Sequence, residues 1–186
     1  MKIALPRVLL ALVPILAALA DSAHATDPVF RKLYARFAID PSLNLAGTSV
    51  AVSDLYVLVG EPNHSEVVGQ AGAVHVFSAT TGRYLRKLTA SDGDGNHRFG
   101  SSVSISGTMA LIGAPFDGLA GDGKAYVFDL KTGRQKLILA QTDATGGDRF
   151  GSAVAIDGDR ALVGAVDHNL STGAAYLFDT VTGAQL

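Results

Sequence analysis

The strongest constraint on this chain is that it repeats itself about every 50 residues, and a period of that length must be read before any single residue. Three phrases recur in fixed order. Phe99-Gly100-Ser101-Ser102-Val103-Ser104-Ile105 is matched by Phe150-Gly151-Ser152-Ala153-Val154-Ala155-Ile156. It has a weaker copy in Ala46-Gly47-Thr48-Ser49-Val50-Ala51-Val52, where Ala replaces Phe. Gly113-Ala114-Pro115, after the apolar run Ala110–Ile112, is echoed by Gly60-Glu61-Pro62 and by Gly164-Ala165-Val166. Gly123 to Asp129, followed by Thr132-Gly133, matches Gly72 to Ser78 with Thr81-Gly82 and Gly173 to Asp179 with Thr182-Gly183. Phe77, Phe128 and Phe178 mark the period, 51 and 50 residues apart.

Each unit holds four short β-type runs, which in the second unit are Ser102–Ile105, Met109–Gly113, Ala125–Asp129 and Gln135–Ala140. The runs are bounded by Gly, Asp, Asn, Ser or Thr, the residues that turns require. They alternate or are continuously apolar, and none has a 3.6-residue pattern of helical length. Four strands in about 50 residues is the arithmetic of a β-propeller blade. A lone four-stranded sheet cannot bury two apolar faces, whereas stacked sheets can. The expected fold is therefore all-β, a propeller-type array of about three four-stranded blades covering residues 46–98, 99–149 and 150–186. All 21 glycines fall after residue 25. Gly107 and Gly158 are placed in tight turns between the first two strands, and Gly100 and Gly151 behind an aromatic that wedges between blades.

Phe-Gly, then Gly-Ala-Pro, then an aromatic-hydrophobic-Phe strand resembles the FG-GAP repeat of integrin α-subunit propellers. It is most similar to the bacterial form, with Ser-Val-x-Ile between the motifs and a Leu-x-Ala-x-Asp-Gly phrase before Phe-Gly. The resemblance runs over 46–186 and rests on Phe99, Gly100, Gly113, Ala114, Pro115, Phe150, Gly151 and Gly164. It implies a β-propeller of extracellular proteins used for binding and adhesion. The integrin repeat also carries a calcium loop between its first two strands. Here that place holds only Ser106-Gly107-Thr108, Asp157-Gly158-Asp159 or Ser53-Asp54. Such turns are too short to wrap an ion that takes six to eight oxygens.

The ends of the chain bear on location and closure. Residues 1–25 read as a secretory signal peptide: Lys2 and Arg7 precede an apolar run, Val8 to Ala20, and Ala23-His24-Ala25 fits small-x-small cleavage before Thr26. Thirteen residues are too short a helix to span a bilayer core. The expected product is secreted or periplasmic, with no membrane span after cleavage. In the N-terminal segment 26–45, Phe30-Arg31-Lys32-Leu33-Tyr34-Ala35 matches Leu85-Arg86-Lys87-Leu88-Thr89-Ala90, a fourth strand. The third unit stops at Leu186, just after Thr182-Gly183. The array is thus expected to be closed either by that N-terminal strand or by oligomerisation, two chains giving six blades. The alternative is a piece of a larger propeller.

Function is less legible. With no Cys, there is no disulfide framework, thiolate metal site or Cys nucleophile. A net charge of −2 gives no basic surplus for nucleic acid. No nucleophile elbow, phosphate loop or metalloprotease helix occurs. Asp92, Asp94 and Asn96 place oxygens at alternate positions, as a calcium loop begins. Position 12 from Asp92 is Val103 rather than Glu, which favours a polar turn. His64, Asp117 and His168, each four residues after its unit's Gly, occupy equivalent loops and suit transition metals by type. Blade spacing is expected to keep them apart, on solvated loop tips. His75 and His97 have no partner by spacing. The leading expectation is a binding module for an extracellular protein or glycan, with no catalytic residue and no obligate cofactor. A hydrolase using loop carboxylates is the enzymatic alternative.

Overall fold

The computed structural model describes residues 45–65, 70–93, 95–118 and 120–186. The signal peptide, the strand expected at Phe30–Ala35 and Asp94 lie outside the described residues.

Among the described residues, eleven strands form three antiparallel sheets, each laid down in chain order. The first runs β1 (Val50–Val52), β2 (Tyr56–Glu61), β3 (Ala73–Ser78), β4 (Tyr84–Leu88). The second runs β5 (Ser102–Ser106), β6 (Met109–Ala114), β7 (Lys124–Asp129), β8 (Arg134–Leu139). The third has β9 (Phe150–Asp157), β10 (Arg160–Ala165) and β11 (Ala174–Asp179), after which Gln185 makes a single bridge to Phe178. The four runs expected in the second unit appear within a residue or two. One turn of helix, α1 (His168–Ser171), interrupts the β pattern, and its Asn169, Leu170 and Ser171 take left-handed φ of 49°, 59° and 67°. Among the described residues, no helix is long and apolar enough to cross a membrane.

The sheets pack face to face through two apolar layers. Leu58, Val74 and Val76 of the first sheet meet Phe99, Ala110, Ile112, Tyr126 and Phe128 of the second. Leu111, Ala125 and Val127 of the second meet Phe150, Ala161, Val163, Tyr176 and Phe178 of the third. The middle sheet is buried on both faces, which is why β6 reads as a continuous apolar run, whereas β10 alternates buried and exposed.

Phe99 and Phe150 are the wedges, set edge-on to Tyr126 and Phe128 and against Tyr176 and Phe178, with ring centroids 5.4–5.8 Å apart. In the first unit Ala46 stands where Phe99 and Phe150 stand, and the Tyr84 ring lies against Phe77 and His75. Behind each wedge the backbone turns left-handed: Arg98 and Arg149 at φ 54° and 55°, then Gly100 and Gly151 at 90° and 91°. This brings the Gly151 carbonyl against Gly113 of the preceding sheet, so closely that a Cβ on Gly113 would overlap it. Ser102 Oγ donates to the same carbonyl at 2.7 Å, as Ser49 Oγ does to Gly100. The motif glycine of one unit is thus a seat for the Phe-Gly backbone of the next.

The two rims of the stack differ. At one, β-turns repeat almost identically: Gly107 and Gly158 sit in two-residue turns, and Asp129 and Asp179 each accept two backbone N–H bonds from the Thr-Gly turn. At the other rim emerge the longer connections between second and third strands, together with the segments that lead into Phe-Gly. There they bond to each other, as in Arg98 N to Gln70 O and Arg149 N to Gly121 O.

Candidate functional site

Each sheet keeps a buried carboxylate just inside the longer-looped rim, and each carboxylate faces an imidazole. In the first sheet, Glu61 follows Gly60 at the end of β2. Its Oε2 accepts from His75 Nε2 at 2.6 Å and lies 3.0 Å from His64 Nδ1, while Lys87 Nζ is 3.3 Å from His64 Nε2. In the second, Asp117 accepts from the Tyr126 hydroxyl, with His97 Nδ1 3.2 Å away and Lys124 Nζ at 2.9 Å. In the third, Asp148 accepts from Gln141, from the Thr145 hydroxyl and amide at 2.6 and 2.9 Å, and faces His168 Nδ1 at 3.0 Å.

These positions are equivalent with the charges exchanged. His97 and Asp148 both stand two residues before Phe-Gly, and Asp117 and His168 both stand four after the motif glycine. Acid and base have traded places between the second and third units, so the pair survives while each residue changes. A carboxylate this deep must be paired or satisfied by donors. His75, His97 and the loop residues His64 and Asp117 therefore sit buried rather than at solvated tips. The expectation that His64, Asp117 and His168 do not converge agrees with their separate roles in separate sheets. His64 faces Glu61, Asp117 faces His97 and His168 faces Asp148, pairings that spacing within one unit does not reveal because the partners lie on adjoining strands and loops.

Glu61, His64 and His75 place three ligand atoms within 4.8 Å of one another, a donor set of the kind zinc takes. The Lys87 ammonium beside His64 already supplies positive charge to this group. The arrangement reads more simply as a hydrogen-bonded ion network, repeated in kind by Lys124 and Asp117.

Asp92 of the oxygen-rich turn is drawn inward. Its two oxygens accept from Lys124 Nζ at 2.7 Å and Tyr126 OH at 2.9 Å. Burial pushes this carboxyl up, but the hydrogen bonds and charge of Lys124 and Tyr126 outweigh it and hold it below the usual carboxylate range. Burial likewise opposes the Lys124 ammonium, and Asp92 and Asp117 together raise its affinity for the proton. The Tyr126 hydroxyl is kept protonated by burial and by the Asp117 carboxylate. Asn96 is exposed, and Asp94 lies outside the described residues.

Asp148 offers a pH prediction. The Thr145 hydroxyl, against the opposing effect of burial and with help from the Thr145 amide and His168, brings its carboxyl from 3.8 down to about 2. A carboxyl depressed by folding adds stability above its unfolded value and loses it as pH falls toward its folded one. The melting temperature should therefore drop between about pH 4 and pH 2. In Asp148→Asn that drop should be shallower, as thermal unfolding across this range will show.

The rim surface adds a feature that the sequence reading did not single out. Phe116, next to Pro115, lies beneath the Arg98 guanidinium at 4.4 Å and within 5.3 Å of that of Arg149. The two arginines occupy the same left-handed position in successive units, and Arg149 also pairs with Asp167 at 2.9 Å. The signal available was the repeated Arg-Phe-Gly, with an aromatic after Gly-Ala-Pro.

A family model for the FG-GAP repeat matches residues 84–128 and 133–178. Each match begins at the fourth strand of one sheet and ends at the third strand of the next. No curated protein matches the sequence significantly. Three antiparallel sheets carrying two matched repeats, with Phe-Gly seated on the preceding glycine at each junction, are consistent with FG-GAP propeller blades: the chain is an FG-GAP repeat protein.

Proposed function

We propose that this chain is an exported interaction module, secreted or periplasmic, whose blades form a propeller and whose longer-looped rim binds an extracellular protein or glycan. The observation that carries this reading is the contrast between rims. One is built of near-identical tight turns, while the other gathers longer, unlike loops on a rigid frame, where binding groups are usually placed. Within that rim, half-buried Phe116 carries the Arg98 guanidinium on its ring with that of Arg149 close by, a cationic cluster suited to a glycan bearing a carboxylate or sulfate. The FG-GAP family is typically non-catalytic.

The hydrolase alternative is disfavoured by the placement of Asp117, which is 1% exposed and held by Tyr126, Lys124 and His97. Calcium at Asp92, Asp94 and Asn96 is a subsidiary proposal, and there the Lys124 ammonium would compete for Asp92. A thermal shift with calcium tests it.

The binding reading is tested by probing the purified protein against an array of neutral and acidic glycans and by pull-down from extracellular protein. Retention of an acidic glycan, weakened at least tenfold in Phe116→Ala and in Arg149→Ala, is the expected result. No retained ligand in either format would sink it, as would polysaccharide turnover abolished by Asp117→Asn.

A further inference from the structure

We propose that a cavity on the longer-looped rim, between the loop before Phe150 and the loop after Gly164, is a subsite for an uncharged sugar ring beside the arginine cluster. This deepens the glycan reading of the rim and rests on it.

The cavity has a volume of about 390 Å³, within the range of small-molecule clefts, roughly 300–1,000 Å³. Thr145 and Gly147 line one wall, and Asp167, Asn169, Leu170 and Ser171 the other. Repeat alignment gives a reason for its place. Asp167 and Gly147 align with Phe116 and Asn96 of the second unit, so a carboxylate stands for a ring and a hydrogen for an amide side chain. The alignment holds in space, since Arg98 lies over Phe116 and Arg149 pairs with Asp167 at 2.9 Å.

Both walls are fastened to one buried residue. The Asp148 carboxylate accepts from the Thr145 amide and hydroxyl, and the Asp148 carbonyl accepts from the Asp167 amide at 3.2 Å. The Gly147 amide is held in turn by Asp122 Oδ1 at 3.2 Å. A cleft fixed before its ligand arrives pays less ordering entropy on binding.

The second wall keeps side chains where glycine would be easier. Asn169 and Gly118 both stand five residues after the motif glycine, and both are left-handed, at φ 49° and 90°. Leu170 and Ser171 follow at 59° and 67°. That conformation disfavours any residue with a Cβ, Asn least. Glycines would relieve it, but would strip an amide, an apolar side chain and a hydroxyl from the cavity. Strained residues gather at ligand sites. Among the described residues, nothing hydrogen-bonds the Asn169 side-chain amide or the Ser171 hydroxyl.

The lining selects the ligand. Asn169, Ser171 and Asp167 offer donors and acceptors for hydroxyl groups, and Leu170 offers surface for the C–H face of a pyranose. No Lys, Arg or His lines the cavity, and the Asp167 carboxylate repels an anion. The acidic group of a glycan therefore belongs to Arg98 and Arg149, and an uncharged ring to the cavity. Arg149 joins the two places, with Nε on Asp167 and its guanidinium 5.3 Å from the Phe116 ring.

The test is calorimetric titration of the purified protein with an oligosaccharide of alternating glucuronate and glucose, and with an oligoglucuronate of equal length. The alternating ligand should bind about tenfold more tightly, as one or two added hydrogen bonds provide. Asn169→Gly should abolish that preference while melting no lower than wild type, since glycine accepts the left-handed turn freely. A merely structural role would not separate binding from stability in this way. Ser171→Ala, which should also reduce the preference, serves if Asn169→Gly fails to fold. Equal affinity of the wild type for the two ligands overturns the inference, as does a preference that survives in both variants. If Phe116→Ala still weakens both ligands in those cases, acidic-glycan binding at the rim stands without the cavity. Binding of neither ligand also overturns the inference, and the glycan array then decides separately whether the rim binds glycans at all.

Discussion

Gly113→Ala should destabilise the protein by about 3 kcal/mol, an overpacking cost at the upper end of the usual range because the obstruction is backbone. The added methyl has nowhere to go. It would overlap the Gly151 carbonyl oxygen and Ser102 Oγ, and the carbonyl belongs to a neighbouring sheet anchored by the Phe150 wedge. The strand must bend or the third sheet must lift away, exposing part of the layer built by Leu111, Ala125 and Val127. For a chain of this size the melting temperature should fall by roughly 6–12 °C. The same substitution at the matching residue, Gly164→Ala, meets only Ala153 Cβ at an ordinary 3.6 Å and should change stability by less than about 0.5 kcal/mol. Differential scanning calorimetry on the two variants decides the matter. Equal losses would mean that glycine is needed for strand conformation, and equal silence that the seat is not tight.

Phe150→Ala should cost about 4 kcal/mol, the loss expected when a fully buried aromatic leaves a cavity. Phe150 is 0% exposed and touches Tyr176 and Phe178 on its own sheet, while its backbone bridges to Gly123 of the sheet before. Truncation therefore removes the filler from the second layer and loosens the third sheet. Chemical denaturation should show the midpoint shifting to lower denaturant. A reduced slope would add that the third sheet opens separately from the rest. The first unit already carries Ala46 at this position. A loss under about 1 kcal/mol would mean that a neighbour refills the hole in the third unit.

Much of the fold was legible because the repeat aligns each residue with its counterparts. Strand positions follow from alternating or continuous apolar runs between Gly and Asp turns, and the β5–β8 boundaries shifted by no more than a residue or two. The packing role of Gly100 and Gly151 also follows from their place behind Phe. The tightness of Gly60 and Gly113 does not, because it depends on where the neighbouring sheet puts a carbonyl. The buried polar site was hidden for a related reason. His97 and Asp117 lie on either side of β5 and β6, and His75 meets Glu61 only because β2 and β3 pair with Glu61 opposite Ala73, two residues from His75. Repeat alignment itself concealed the pattern, since a His aligned with an Asp looks like a position under no constraint. Phe116 escaped notice because its meaning comes from arginines one period apart.

The exchange of acid and base between the second and third units limits how these loops can be recombined. Grafting the segment 95–98 onto the third sheet, without its partner loop, would set one imidazole against another, since His97 would replace Asp148 opposite His168. The reverse graft would press two carboxylates together at Asp117. The segments before Phe-Gly and after Gly-Ala-Pro are therefore heritable only as couples. A designer shuffling rims on this scaffold must move two pieces of chain, about 20 residues apart, as one cassette.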